Sequence, residues 1–282
     1  MRRAMAIWLG CVLAACSAPV SDGASATAAV LTTGAARETT ADAPLTWPDS
    51  IGDFLAIANA SAGAALLFRR DTTRVPEFIR VIGYDSVSTS VTRRDVTSQP
   101  CAARAQLLVD GAPRGWSLAL DAEHARPVLI DALEDLSHAD SQRVVVRIQR
   151  ALNILPDSGN AVEFRGLPVV VRDAWVVRLP TAPIVVARAA RLRNIEAASH
   201  EELRFVVLEG DKPVFVARVA GEEESVESWD LLAVIRSSGG RPMLVVAREG
   251  ARALQLELIV RSGTAAWTSI WRSDAQACAP AR

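Results

Sequence analysis

The sequence predicts an α+β fold, predominantly antiparallel β-sheet, with a helical pair in the middle of the chain. Three observations carry that prediction. Short apolar runs recur along residues 47–282, separated by turn residues at intervals too brief to hold crossover helices. Between about residues 129 and 155 the apolar spacing changes to that of a helix. Beyond Asn160 it returns to the period of two that sends successive side chains to opposite faces of a strand.

Taken in order, Trp47-Pro48-Asp49 opens the globular part. Apolar runs follow at Phe54 to Ile57, Ala64 to Phe68 and Glu77 to Tyr84. Ser86 to Thr97, rich in Ser, Thr, Val and Asp, reads as an exposed strand or a loop. Ala105 to Val109 and Trp116 to Leu120 flank Asp110-Gly111-Ala112-Pro113, which suggests a hairpin. The first helix places Leu129, Ala132, Leu133 and Leu136 on one face. A second begins after Asp140 as N-cap, aligns Ile148, Ala151, Leu152 and Leu155, and stops at Pro156 and Gly159. Arg143, Arg147 and Arg150 occupy its other face.

Strands then follow through Val169 to Leu179, Arg204 to Leu208, Val214 to Val219, Leu231 to Ile235 and Met243 to Ala247. Leu254, Leu256, Leu258 and Val260 alternate with polar residues, and Ala265 to Trp271 supplies the last strand. The expected result is an antiparallel C-terminal sheet packed over the helices, as one globular unit or as two divided near residue 160. Gly166-Leu167-Pro168 and Gly240-Arg241-Pro242 each precede a valine-rich strand, too little to define a repeat.

Half of the 282 residues are apolar and 22% are charged, a composition that can bury a core. Lys212 is the only lysine among 31 basic residues, against 32 acidic ones. The formal charge of -1 leaves no basic excess to drive phosphate-backbone binding, so nucleic acid is not an expected partner. The arginines are spread along the chain among Asp and Glu and do not form an evident anion-binding stretch.

Arg2 and Arg3, the apolar run Ala4 to Val12, and Leu13-Ala14-Ala15-Cys16 carry the features of an export signal. The run is too short to span a bilayer. Leu-Ala-Ala-Cys resembles the lipobox of bacterial lipoprotein signal peptides. The resemblance covers residues 1–16 and implies removal of residues 1–15 and a diacylglycerol thioether on Cys16. It also implies a membrane partner reached through that lipid. Ser17, where Asp would favour inner-membrane retention in enteric bacteria, points to the outer membrane, with the protein facing the periplasm or the surface. The alternative is an ordinary secretory signal cut elsewhere, for instance after Ala18. Residues 16–46, rich in Ala, Ser and Thr, then read as a flexible tether reaching roughly 30 Å. In an oxidising compartment Cys101 and Cys278 are expected to pair as a disulfide, the alternative being two free thiols.

No Gly-x-Ser-x-Gly, His-Glu-x-x-His, P-loop, dinucleotide-binding glycine fingerprint or Cys-x-x-Cys occurs, and no cofactor is expected. His124 and His138 with Asp121, Asp135 and Asp140 contain zinc-ligand types, though the two Asp residues flanking the first helix equally suit helix caps. Ser199-His200-Glu201-Glu202 reads as a polar turn. Glu222-Glu223-Glu224 with Glu227 and Asp230 reads as a solvated acidic turn. Trp267 and Trp271 fall on one side of the last strand; exposed they would form a stacking surface for a glycan or peptide, and buried they are sheet core. Two functional classes are compatible with these features. One is a non-catalytic, tethered binding or envelope-assembly module with a protein or glycan partner. The other is an envelope hydrolase drawing its acid and base from Asp121, His124, His138, Asp140, Glu201 and Glu202.

Overall fold

The computed structural model of the chain describes residues 47–58, 64–70, 78–83, 87–96, 106–109, 116–120, 125–156, 163–195, 198–223, 226–237, 239–250, 253–263 and 266–273. The signal segment, Cys16, the tether, Cys101, Asp121, His124 and Cys278 lie outside the described residues.

Six strands come first: β1 (Phe54–Ala58), β2 (Ala64–Arg69), β3 (Phe78–Gly83), β4 (Val87–Val96), β5 (Gln106–Val109) and β6 (Trp116–Leu120). All pair antiparallel in the order β1-β2-β5-β4-β3-β6, and pairing of β6 with β1 closes the ring into a barrel. The expected hairpin between β5 and β6 is not there. β5 lies between β2 and β4, and β6 between β1 and β3, so closure has given each strand two other partners.

The chain then crosses from one sheet to another through β7 (Ala125–Pro127) and β8 (Ile130–Ala132). The first expected helix is thereby replaced. Ile130 and Ala132 pair with Val177 and Trp175, so amides that would close helical turns serve a ladder instead. Only a 3-10 turn, Leu133–Asp135, remains of that helix, and Leu129 is 73% exposed. A helix of some eight residues has too few internal bonds to offset nucleation, so the ladder prevails.

The second helix forms as α1 (His138–Asn153). Its N-cap is Ser137, not Asp140: the Asp140 amide donates to Ser137 Oγ at 3.2 Å, and Ser137 Oγ donates to Asp140 Oδ2 at 2.6 Å. The side chain at the third helical position thus returns to the cap's hydroxyl, where a capping box would reach the cap's backbone N–H. The Ser137 hydrogen bond and then Arg143 hold the Asp140 carboxyl below its ordinary pKa.

Eight longer strands follow: β9 (Val170–Val177), β10 (Ile184–Ile195), β11 (Ala198–Glu209), β12 (Lys212–Glu222), β13 (Ser228–Ser237), β14 (Pro242–Gly250), β15 (Ala253–Ser262) and β16 (Ala266–Arg272). Sheet I has the order β12-β11-β10-β9-β8 and sheet II the order β16-β15-β14-β13-β7. Each is a four-strand meander with one short strand from before α1 on its first edge, so the ladders span the position near 160 where the sequence allowed a division. Turn chemistry matches the meanders. Glu209 pairs with Lys212, leaving Gly210-Asp211 as a two-residue loop, and Gly210 takes the positive φ of 58° that such a hairpin requires.

The core explains why several strands lack clean alternation. In Phe205-Val206-Val207-Leu208, Phe205 and Val207 pack toward sheet II, while Val206 and Leu208 pack with Ile148, Ala151 and Leu152 of α1. In Met243-Leu244-Val245-Val246, Leu244 and Val246 face sheet I, and Met243 and Val245 pack with Leu55, Leu118 and Leu120 of the barrel strands. Both sheets are covered on both sides, which turns a period of two into continuous apolar runs. The layers are therefore barrel, sheet II, sheet I and α1.

Candidate functional site

Charged residues inside this architecture fall into paired structural clusters and two open cavities; the larger, about 540 Å³, runs along α1 between Arg143, Arg147 and Arg150 of the helix and Asp211 of the β11–β12 turn. Glu201 and Glu202, expected in a polar turn with Ser199 and His200, lie instead within β11. Neighbouring strand residues point to opposite faces, and both carboxylates are buried. Glu201 accepts from Arg172 at 3.1 Å. Glu202 is fully buried: Arg204 Nε and Nη2 donate to its Oε1 at 3.0 and 2.9 Å, Arg218 Nε lies 3.1 Å from the same oxygen, and Arg191 lies 3.8 Å from Oε2. The guanidiniums also reach backbone carbonyls, Arg204 that of Leu152, Arg218 that of Pro156 and Arg191 that of Phe164. Cations are favoured at a helix C-terminus, where α1 ends. Burial holds the Arg204 pKa below its ordinary value, with the Glu202 hydrogen bond and charge opposing.

Sheet II has a matching arrangement. Glu257 is buried between Arg272 at 3.1 Å and Arg248 at 3.5 Å, and Arg248 lies 5.5 Å from the Trp229 ring and bonds Glu227. The polar half of β15 therefore faces sheet I, not solvent. Across the gap, Arg188 donates to Asp173 at 2.7 Å and to the Trp229 carbonyl at 3.3 Å. Nearby, desolvation pushes the Asp230 carboxyl above its ordinary pKa, Arg188 opposing and Asp173 adding to the rise. The folded state then holds this proton more tightly, and stability falls as pH rises through the folded pKa. Asp230 nevertheless remains solvent-exposed, which screens the effect, so Asp230→Asn is expected to raise the unfolding midpoint only slightly at pH 7, and the gain should vanish below the unfolded aspartate pKa. Thermal melts of both proteins at pH 7 and pH 3.5 check this.

The two tryptophans do not form a stacking row. Ile259 pairs with Ser269 but Leu258 with Trp271, so a bulge at Ile270 adds a residue and reverses the facing of the strand beyond it. Trp267, 4% exposed, enters the core between the sheets, and its indole N–H donates to Glu209 at 2.8 Å. Trp271, 8% exposed, enters the core beside the barrel and meets Trp47 edge-on at 4.9 Å between centroids. Of the two readings left open for the pair, stacking surface or sheet core, both side chains take the core position, but on opposite faces and not on one side of the strand.

Of the remaining acid/base candidates that are described, His138 and Asp140 lie in the exposed first turn of α1, and Asp140 pairs with Arg143. These two thus belong to one helix end, while Glu201 and Glu202 are held in their own ion pairs on sheet I. Among the described residues no group of three His, Cys, Asp or Glu side chains converges to hold a metal ion.

The other cavity, about 410 Å³, lies at the turn end of the sandwich, and unlike the one along α1 it has no carboxylate on its described lining. The β9–β10 loop contributes Leu179, Pro180 and Thr181, the end of β13 Arg236, the β13–β14 turn Arg241, the start of β14 Pro242, and β15 Arg261. Arg261 donates to Glu209 at 2.8 Å, which ties the sheets together behind the cavity. These arginines are distant in sequence, and the Gly240-Arg241-Pro242 turn is the one local signal pointing to the place. Comparison of the chain with protein-family models, curated proteins and solved structures finds no match.

Proposed function

We propose that this chain is a lipid-anchored protein of the bacterial envelope, held at the outer membrane, that binds a ligand or partner without converting it. The Leu13-Ala14-Ala15-Cys16 motif behind a charged, apolar start supports the anchor, and the Ala/Ser/Thr-rich stretch after it supports a tether. The observation that carries the binding half is the turn-end cavity, an open pocket in the size range of small-ligand sites with three guanidiniums on its wall. Of the described carboxylates with catalytic potential, Glu201 and Glu202 are paired with arginines of sheet I, and Asp140 is paired with Arg143 of its own helix.

Two measurements test the two halves. Radioactive palmitate should label the wild-type protein, and Cys16→Ser should abolish labelling and shift most of the protein from the membrane to the soluble fraction. Unchanged sedimentation with membranes would refute the anchor. A pull-down of the tagged wild-type chain from detergent-solubilised envelope should recover a specific partner or ligand, and recovery of none counts against the binding role.

A further inference from the structure

The turn-end cavity gathers like charges that stability alone disfavours. Arg236 of β13 sits directly opposite Arg126 of β7 in an antiparallel register. Such neighbours stand about 5 Å apart at Cβ on one face, and like charges placed there destabilise the pair. Arg241 follows one turn later, and Arg261 lies on the same cavity wall. Half-buried Arg236 forms no ion pair with any described residue, whereas most buried or half-buried arginines of sheets I and II have a carboxylate within 4 Å; the exposed Arg126 and Arg241 beside it likewise form none with any described residue. Arg261 is bonded to Glu209, which it shares with the Trp267 N–H. Facing these cations, Leu179, Pro180 and Pro242 provide apolar wall.

We infer that the cavity binds the phosphate group of an organic ligand, with its oxygens on Arg236 and Arg241, Arg261 behind them, and its organic part against Leu179 and Pro180. The inference rests on the binding-module reading and names its ligand class. Guanidiniums present paired N–H donors matched to phosphate oxygens. A single carboxylate carries one charge and is satisfied by one arginine, whereas a phosphomonoester carries nearly two at neutral pH and has three free oxygens to share among several. The Arg126–Arg236 repulsion is relieved when that charge arrives, so the bare site is destabilised in favour of the bound one.

The test uses the full mature chain in non-ionic detergent and two phosphomonoester probes, soluble glycerol 1-phosphate and phosphatidic acid in mixed micelles, with the diester phosphatidylcholine in micelles as control. Titration calorimetry should show saturable binding to at least one probe, weakened about tenfold or more by Arg236→Gln with Arg241→Gln. Binding to glycerol phosphate assigns a soluble phosphomonoester; binding to phosphatidic acid alone assigns a lipid phosphomonoester headgroup; both sustain the proposal. The double variant should unfold at the same temperature as wild type or higher, because it removes repulsion. A variant that melts lower would make these arginines structural and overturn the assignment. Binding of neither probe, or binding that the double variant retains, also overturns it. If citrate binds with arginine dependence where both phosphates fail, the phosphate class is wrong while the binding-module reading stands.

Discussion

Glu202→Gln is expected to lower stability by about 3–5 kcal/mol, a large fraction of what a domain of this kind possesses. The substitution keeps volume and removes one negative charge from the contact point of Arg204, Arg218 and Arg191, with Arg204 itself only 1% exposed. Breaking a buried ion pair from one side costs more than the pair contributed, because the opposing charge stays desolvated. The damage should be directional as well. Arg204 and Arg218 hold the Leu152 and Pro156 carbonyls, so amide exchange should accelerate first at the C-terminal turn of α1. Denaturant unfolding and hydrogen exchange measure the two effects. A cost within about 0.5 kcal/mol, the range of ordinary surface changes, would show that the cluster does not bind α1 to sheet I.

Trp267→Ala and Trp271→Ala should each cost about 3–5 kcal/mol, as truncation of a buried tryptophan does. The more discriminating result is their independence. Trp267 belongs to the core between the sheets and Trp271 to the core beside the barrel, and the two clusters share no residue. Substitutions without shared partners add within about 0.5 kcal/mol, whereas neighbours on one face couple by up to about 3. Milder Trp→Leu changes keep the double variant folded for the cycle. A coupling above about 1 kcal/mol would place both indoles in one packing unit and remove the bulge at Ile270 from the account.

Much of the β architecture was legible in residue order. The Gly210-Asp211 hairpin, the helix through Ile148, Ala151 and Leu152, and most strand positions follow from local turn chemistry and apolar spacing. The errors have one kind of cause. Leu129 to Leu136 has helical spacing, yet an available strand edge took its amides. Glu201 and Glu202 look like a turn because buried carboxylates are uncommon, yet arginines from distant strands and from β11 itself surround them. Trp267 and Trp271 look aligned because a bulge leaves no mark in a count of residues.

Residue order by itself determined that the chain builds antiparallel sheets with short turns and the amphipathic helix α1, because hydrogen-bond period and turn conformation are set within a few residues. It did not determine that the first of the two helix-patterned segments, Leu129 to Leu136, would join a sheet. Tertiary structure alone decided that β1 to β6 close on themselves, that both sheets are covered on both sides, and that Arg236, Arg241 and Arg261 meet at one cavity. Those outcomes depend on which strand lies beside which. That choice is made by burial and charge pairing between segments tens of residues apart, which no local pattern encodes.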